Sequence, residues 1–154
     1  PKKFNSSYLG KSSQDEANFI AHKVEQLVRS RTSLDRIGVI CPYRVQAGVV
    51  NAALQSRVGA EKASQVLVDT VERFQGQEKD AIFLSLGTSG ETLEELRFLA
   101  DPKRLNVSVT RAKSRFYCLF NQTLMERSIA PQASDLNEFL RWVTHGKTSI
   151  RRAA

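Results

Sequence analysis

Val66-Leu-Val-Asp-Thr-Val-Glu-Arg-Phe-Gln-Gly-Gln-Glu-Lys-Asp-Ala-Ile-Phe-Leu-Ser-Leu86 sets a polar segment, residues 69–80, between two unbroken apolar runs. Short runs without alternation are the pattern of strands covered on both faces, as in a parallel sheet. Two more runs of this kind flank the pair. Ile37-Gly-Val-Ile40 is stopped by Pro42, and Arg115-Phe-Tyr-Cys-Leu-Phe120 follows a basic stretch. Helical patterns fill the gaps. Ser13-Gln-Asp-Glu16 has the form of a capping box, a hydroxyl with a glutamate three residues on. It opens a helix to about Arg29, whose residues Ala17, Ile20, Ala21, Val24, Leu27 and Val28 share one apolar face. A second helix is expected from about Val45 to Val58, a third from Pro102 to Lys113 and a fourth from Ser134 to Val143. Residues 88–101 read as a loop with one helical turn at most. Strands alternating with helices predict an α/β fold, a parallel sheet with helices on both faces. Ligands of such sheets bind at the carboxyl ends of the strands. That rule points to residues 41–46, to residues 69–80 and to the approach to Arg104, all expected at one edge.

Composition narrows the partners. The chain of 154 residues carries 23 basic against 16 acidic side chains, a net charge of +7, which favours an anionic partner, nucleic acid first. At 41% hydrophobic residues a packed core is expected. Cys41 and Cys118 lie in or beside apolar runs and read as buried thiols of a reducing compartment, cytoplasm or nucleus. No apolar run approaches the ~20 residues of a membrane helix. Gly10-Lys-Ser12 resembles the end of a phosphate-binding loop. Asn5 stands where that motif needs its first glycine, so an exposed turn is the better reading.

Three segments carry chemistry. In Cys41-Pro-Tyr-Arg-Val-Gln46, Tyr43 can stack on a base, Gln46 can hydrogen-bond a polar edge and Arg44 can meet phosphate; the bland alternative is a proline-started turn. In residues 69–80, Gly76 permits close backbone approach, Glu78 can orient a water or bind a ribose, and Thr70 and Gln75 can contact a nucleic-acid backbone. A rival reading makes Asp69, Glu72, Glu78 and Asp80 a two-metal nuclease site, but Arg73 and Lys79 are interleaved and no further acidic motif completes it. In Asp101-Pro-Lys-Arg-Leu-Asn-Val-Ser-Val-Thr-Arg-Ala-Lys113, helical spacing puts Leu105, Val109 and Ala112 on one stripe and Arg104, Ser108 and Arg111 on another. Two guanidinium groups held rigidly suit the stabilisation of phosphate charge. Alone, the segment is a solvated basic face.

Taken together, Pro-Tyr-x-x-Gln, Thr-Val-x-x-Phe-Gln-Gly-x-Glu-x-Asp and Arg-Leu-Asn-Val-x-x-Thr-Arg-Ala-Lys resemble motifs IV, V and VI of superfamily 1B helicases, in the branch of the nonsense-mediated-decay, Sen-type and immunoglobulin-switch-region helicases. The likeness covers about residues 8–143. It implies a second RecA-like domain at residues 1–146, without a phosphate loop of its own; residues 147–154, with Lys147, Arg151 and Arg152, read as a basic, flexible tail. It implies that ATP and Mg2+ are held mainly by a first RecA-like domain of the same protein. By resemblance Arg111 is the arginine finger, and Glu78 and Gly76 meet the nucleotide. Tyr43 and Gln46 lie near it, and Arg44 is a candidate because Ala47 occupies a place where relatives can carry a second finger. Arg104 is a second phosphate sensor or a structural ion-pair partner. Pro42, Thr70 and Gln75 face nucleic acid. A monomeric domain, 5′ to 3′ movement on single-stranded DNA or RNA, no membrane partner, no protein-bound metal and no ATP turnover by the chain alone are the remaining expectations. The alternative is a degenerate helicase-like module that binds nucleic acid or protein without turnover.

Overall fold

A computed structural model describes residues 12–145; Gly10, Lys11 and the basic tail with Lys147, Arg151 and Arg152 lie outside them. Four strands form one parallel sheet in the order β2-β1-β3-β4: β1 Ile37–Ile40, β2 Leu67–Asp69, β3 Lys79–Ser85 and β4 Ala112–Leu119. Ile37 pairs with Ala81 and Ala81 with Arg115, while Ile40 pairs with both Asp69 and Leu84. Helices α1 (Gln14–Arg29), α2 (Arg44–Val58) and α3 (Ala60–Ala63) precede β2. Helices α4 (Leu93–Leu99) and α5 (Pro102–Thr110) join β3 to β4, and α6 (Gln122–Arg127) and α7 (Ser134–His145) follow.

The alternation of side chains along each strand divides the core between two faces. Val39, Phe83 and Leu119 pack with Ile20 and Val24 of α1 and Val50 and Leu54 of α2. Ile40, Leu84, Cys118 and Phe120 pack with Leu96 and Leu99 of α4, Leu105 of α5 and Leu136 and Leu140 of α7. The expected parallel sheet with helices on both faces is what forms, the arrangement of a RecA-like domain. Among the described residues no helix is long and apolar enough to cross a membrane. Burial holds the Cys41 and Cys118 thiols well above their usual range, so both are inert.

Local details depart from the sequence reading in instructive places. The segment read as a loop contains α4, capped by Thr92, whose hydroxyl accepts the Glu95 N–H at 3.1 Å. Helix α5 ends at Thr110 instead of Lys113, because Ala112 and Lys113 are drawn into β4. Gly38 lies beneath the Phe74 ring; a Cβ there would sit 2.6 Å from Phe74 Cε1, so the segment after β2 can fold back across β1 only over a glycine.

The capping box forms by half. Ser13 Oγ accepts the Glu16 N–H at 3.2 Å, but the Glu16 carboxylate turns into the core, where it accepts Ser85 Oγ–H at 2.6 Å and Gly87 N–H at 3.0 Å. Burial pushes the Glu16 carboxyl up to about 7, against the lowering effect of these two hydrogen bonds, with Asp15 adding to the rise. The folded chain therefore holds a proton that the unfolded chain releases at lower pH. The resulting stability is complete below the ordinary carboxylate range and is lost as pH rises through about 7. At 1.36 kcal/mol per unit, the span is on the order of 3 kcal/mol. Glu16→Gln, which copies the protonated acid, should flatten the fall in urea-unfolding stability between pH 5 and 8 and leave the variant the more stable form at pH 8. Parallel pH profiles for the two proteins would show that the proton is not held there.

Candidate functional site

The topology separates residues that the sequence rule placed together. Pro42 and Tyr43 follow β1 and Thr70 follows β2, so all three sit at the carboxyl edge of the sheet. Gln75, Gly76 and Glu78 precede β3, and Arg111 precedes β4, so these four sit at the amino edge. The expectation of a single edge is corrected by the course of residues 70–78. A 3-10 turn, Val71–Phe74, carries the chain back across the buried face of β1. Helix α5 makes the same journey. It starts after α4 at the carboxyl edge and ends at Arg111, whose carbonyl accepts the Lys79 N–H at 2.9 Å.

At the amino edge this backbone bond puts the Glu78 segment directly beside Arg111. Arg111 caps α5 with helical backbone angles. Its side chain is half-buried, and its Nε is buried without a hydrogen-bond partner among the described residues. A buried donor of this kind is costly unless something satisfies it, and a guanidinium does so best with a carboxylate or a phosphate. Glu78 is exposed, with Lys113 Nζ 3.9 Å from its carboxylate. Gly76 has φ of 74° and open space around its Cα, so the turn requires its backbone freedom. Gln75 is exposed beside it.

The carboxyl edge is more tightly bound. Arg44 opens α2 and is exposed. Gln46 is fully buried: its Oε1 accepts the Ser13 N–H at 2.6 Å, and its Nε2 donates to Ser13 O at 3.1 Å and Ser85 Oγ at 2.9 Å. Its amide is thus engaged inside the domain. Tyr43 stacks on Phe98 of α4 with ring centroids 5.1 Å apart, and burial, then the nearby Glu95, raises its phenol. Arg104 lies over the same Phe98, 4.1 Å from the ring centroid, and pairs with Glu72 at 3.4 Å and Asp101 at 3.7 Å. The two arginines expected to project together therefore work at opposite edges. Phe98, Glu16 and Ser85 were not singled out by sequence reasoning. Their signal is long-range contact, except that Glu16 was visible as a cap.

The four carboxylates of the nuclease reading do not converge. Asp69 faces Arg73, Glu72 faces Arg104, Glu78 faces Lys113 and Asp80 faces Arg36. No group of three or more metal-binding side chains forms among the described residues.

Residues 2–123 match the AAA domain family. The chain is similar to Helicase sen1 of Schizosaccharomyces pombe, 33% identical over 128 residues, covering 81% of this chain and 8% of the relative. It is 37% identical over 121 residues to the DNA replication ATP-dependent helicase/nuclease DNA2 of Mus musculus, covering 77% of this chain and 11% of the relative. It is 38% identical over 109 residues to the Regulator of nonsense transcripts 1 homolog of Neurospora crassa, covering 70% of this chain and 10% of the relative. The chain thus spans a small part of the length of each.

Proposed function

The chain belongs to the AAA domain family that forms the carboxyl-terminal region of superfamily 1B helicases, and from that membership we propose that it is the second motor domain of an ATP-dependent helicase or translocase. The observation that carries this reading is the buried, unpartnered Nε of Arg111 beside Glu78 and Gly76 at the amino edge. A triphosphate held by a first RecA-like domain would supply the missing acceptor when the two domains close. Arg111 then stabilises charge on the transferring phosphoryl group, and Glu78 orients the attacking water. Magnesium and the β- and γ-phosphates belong to the first domain, so this chain contributes no metal ligand. Pro42 and Thr70, at the carboxyl edge, and Gln75, at the amino edge, meet single-stranded nucleic acid; Tyr43 and Arg44, read from the sequence as nucleotide neighbours, lie at the edge opposite Arg111 and beside Pro42. Arg104 is structural, since its guanidinium is spent on Phe98, Glu72 and Asp101.

Two properties of the purified 154-residue chain test the assignment. It should bind single strands with an affinity that falls steeply with salt, because phosphate contacts release counterions. It should also show no ATP turnover by itself, because half of the phosphate site is elsewhere. Magnesium-dependent ATP hydrolysis at the rate of the complete protein would overturn the split site. Salt-insensitive binding would remove the phosphate grip. The second reading, a module without turnover, predicts the same binding but no effect of altering Arg111 in the complete protein.

A further inference from the structure

We propose that Phe98 is a positioning residue: it holds Tyr43 and Arg104 in one stack at the carboxyl edge and thereby sets where α5 presents Arg111 at the amino edge. The inference rests on the reading of Arg111 given above. Helix α5 is anchored sparsely. Among its residues only Leu105 and Ser108 are buried, and the Ser108 hydroxyl donates back to Arg104 O at 2.8 Å instead of to a neighbouring element. Val107 and Val109 add partly buried contacts with the core, and contacts at the two ends complete the placement of α5 along the sheet. At the far end Arg111 O accepts the Lys79 N–H and the chain runs on into β4, where Ala112 pairs with Lys79. At the near end there is Arg104, which lies over the Phe98 ring, donates to Phe98 O at 3.5 Å and pairs with Glu72 and Asp101.

Phe98 is the shared member of this group. Its ring meets Tyr43 from the segment after β1 and Arg104 from α5, while Glu72 ties Arg104 to the turn after β2. Two segments that flank the carboxyl edge thus meet on one ring, and a third reaches it through Arg104. Phe98 also packs, partly buried, against the core, but a leucine would cover the same apolar floor without offering a π-face to a guanidinium. A strand that displaces Tyr43 must move Phe98, and through it Arg104 and α5. Arg111 lies seven residues on from Arg104, about 10 Å at 1.5 Å per residue, so a shift of the stack is delivered to the phosphate edge along a rigid rod.

The test uses the complete protein and reads ATP hydrolysis with saturating single strands. Phe98→Leu should lower kcat about tenfold, the scale of one stacking plus one cation–π contact, while KM for ATP stays within about twofold. Phe98→Tyr, which keeps the ring, should restore kcat. Wild-type kcat in Phe98→Leu, or equal loss in Phe98→Tyr, would overturn the proposal. Should Phe98→Leu lose its cooperative melting, Glu72→Gln provides the test, since Glu72 is exposed: kcat should fall about threefold with an unchanged melting temperature, and an unchanged kcat overturns the idea. Arg111→Ala separates the two levels. Full activity in that variant removes the reading of the site. An inactive Arg111→Ala beside a normal Phe98→Leu removes only the role of Phe98.

Discussion

Replacing Arg111 by alanine in the complete protein should lower the rate of ATP hydrolysis by about 10³-fold or more, the range of arginine fingers in phosphoryl transfer. The loss should fall on kcat, because a group aimed at charge that develops in the transition state contributes little to ground-state binding. Stability should hardly change. Arg111 makes no ion pair among the described residues, and its helical backbone angles suit alanine. Removing a buried donor that lacks a partner deletes a cost instead of a bond. The unfolding free energy should therefore stay within about 0.5 kcal/mol of the parent. Arg111→Lys should recover little, since an ammonium on a flexible stem cannot reproduce the planar fork. A variant that retains turnover within tenfold would refute the finger assignment. One that unfolds in proportion to its lost turnover would make Arg111 a structural residue.

The reach of sequence reading here follows the range of the forces involved. Strands β1 and β3 and helices α1 and α2 are visible because their apolar residues repeat within a few positions, and such repeats record burial directly. The motifs are visible because their residue types are unusual in combination. What the sequence could not show is the return of residues 70–78 across the sheet. Strand order and the rule of carboxyl ends say where a segment leaves β2, but not that a 3-10 turn over Gly38 carries Glu78 to the opposite edge. The end of α5 was misplaced for a related reason. Residues 111–113 are good helix formers by local preference, yet β3 offers Lys79 N–H as a partner and the chain switches to a strand. Glu16 shows the same competition: its place in the capping box is local, but Ser85 and Gly87 are better partners and lie far along the chain. Phe98 sat unseen in a stretch of glycines and acids read as a loop.

Gln46→Ala should destabilise the 154-residue chain by about 2–4 kcal/mol in the absence of any nucleotide, on the scale of losing several buried hydrogen bonds at once. The side-chain amide receives the Ser13 N–H, returns a hydrogen to Ser13 O and donates a second to Ser85 Oγ. Alanine strands the buried Ser13 N–H at the start of α1, leaves Ser13 O with the Ala17 N–H alone, and leaves the Ser85 hydroxyl with Glu16 as its remaining partner. Glu16, pushed up to about 7, is already the most sensitive group of that cluster, so the deficit should be larger at pH 8 than at pH 5.5, when an ionised Glu16 depends most on Ser85 and Gly87. Urea unfolding at the two pH values measures both the size and the slope. If Gln46 instead served nucleotide directly, its alanine variant would keep the parental stability and lose affinity for ATP in the complete protein. The geometry favours the first outcome, because an amide with both ends committed to Ser13 and Ser85 has to abandon the start of α1 before it can reach a ligand. Gln46 then serves the fold, as the partner that holds the start of α1, α2 and the end of β3 together.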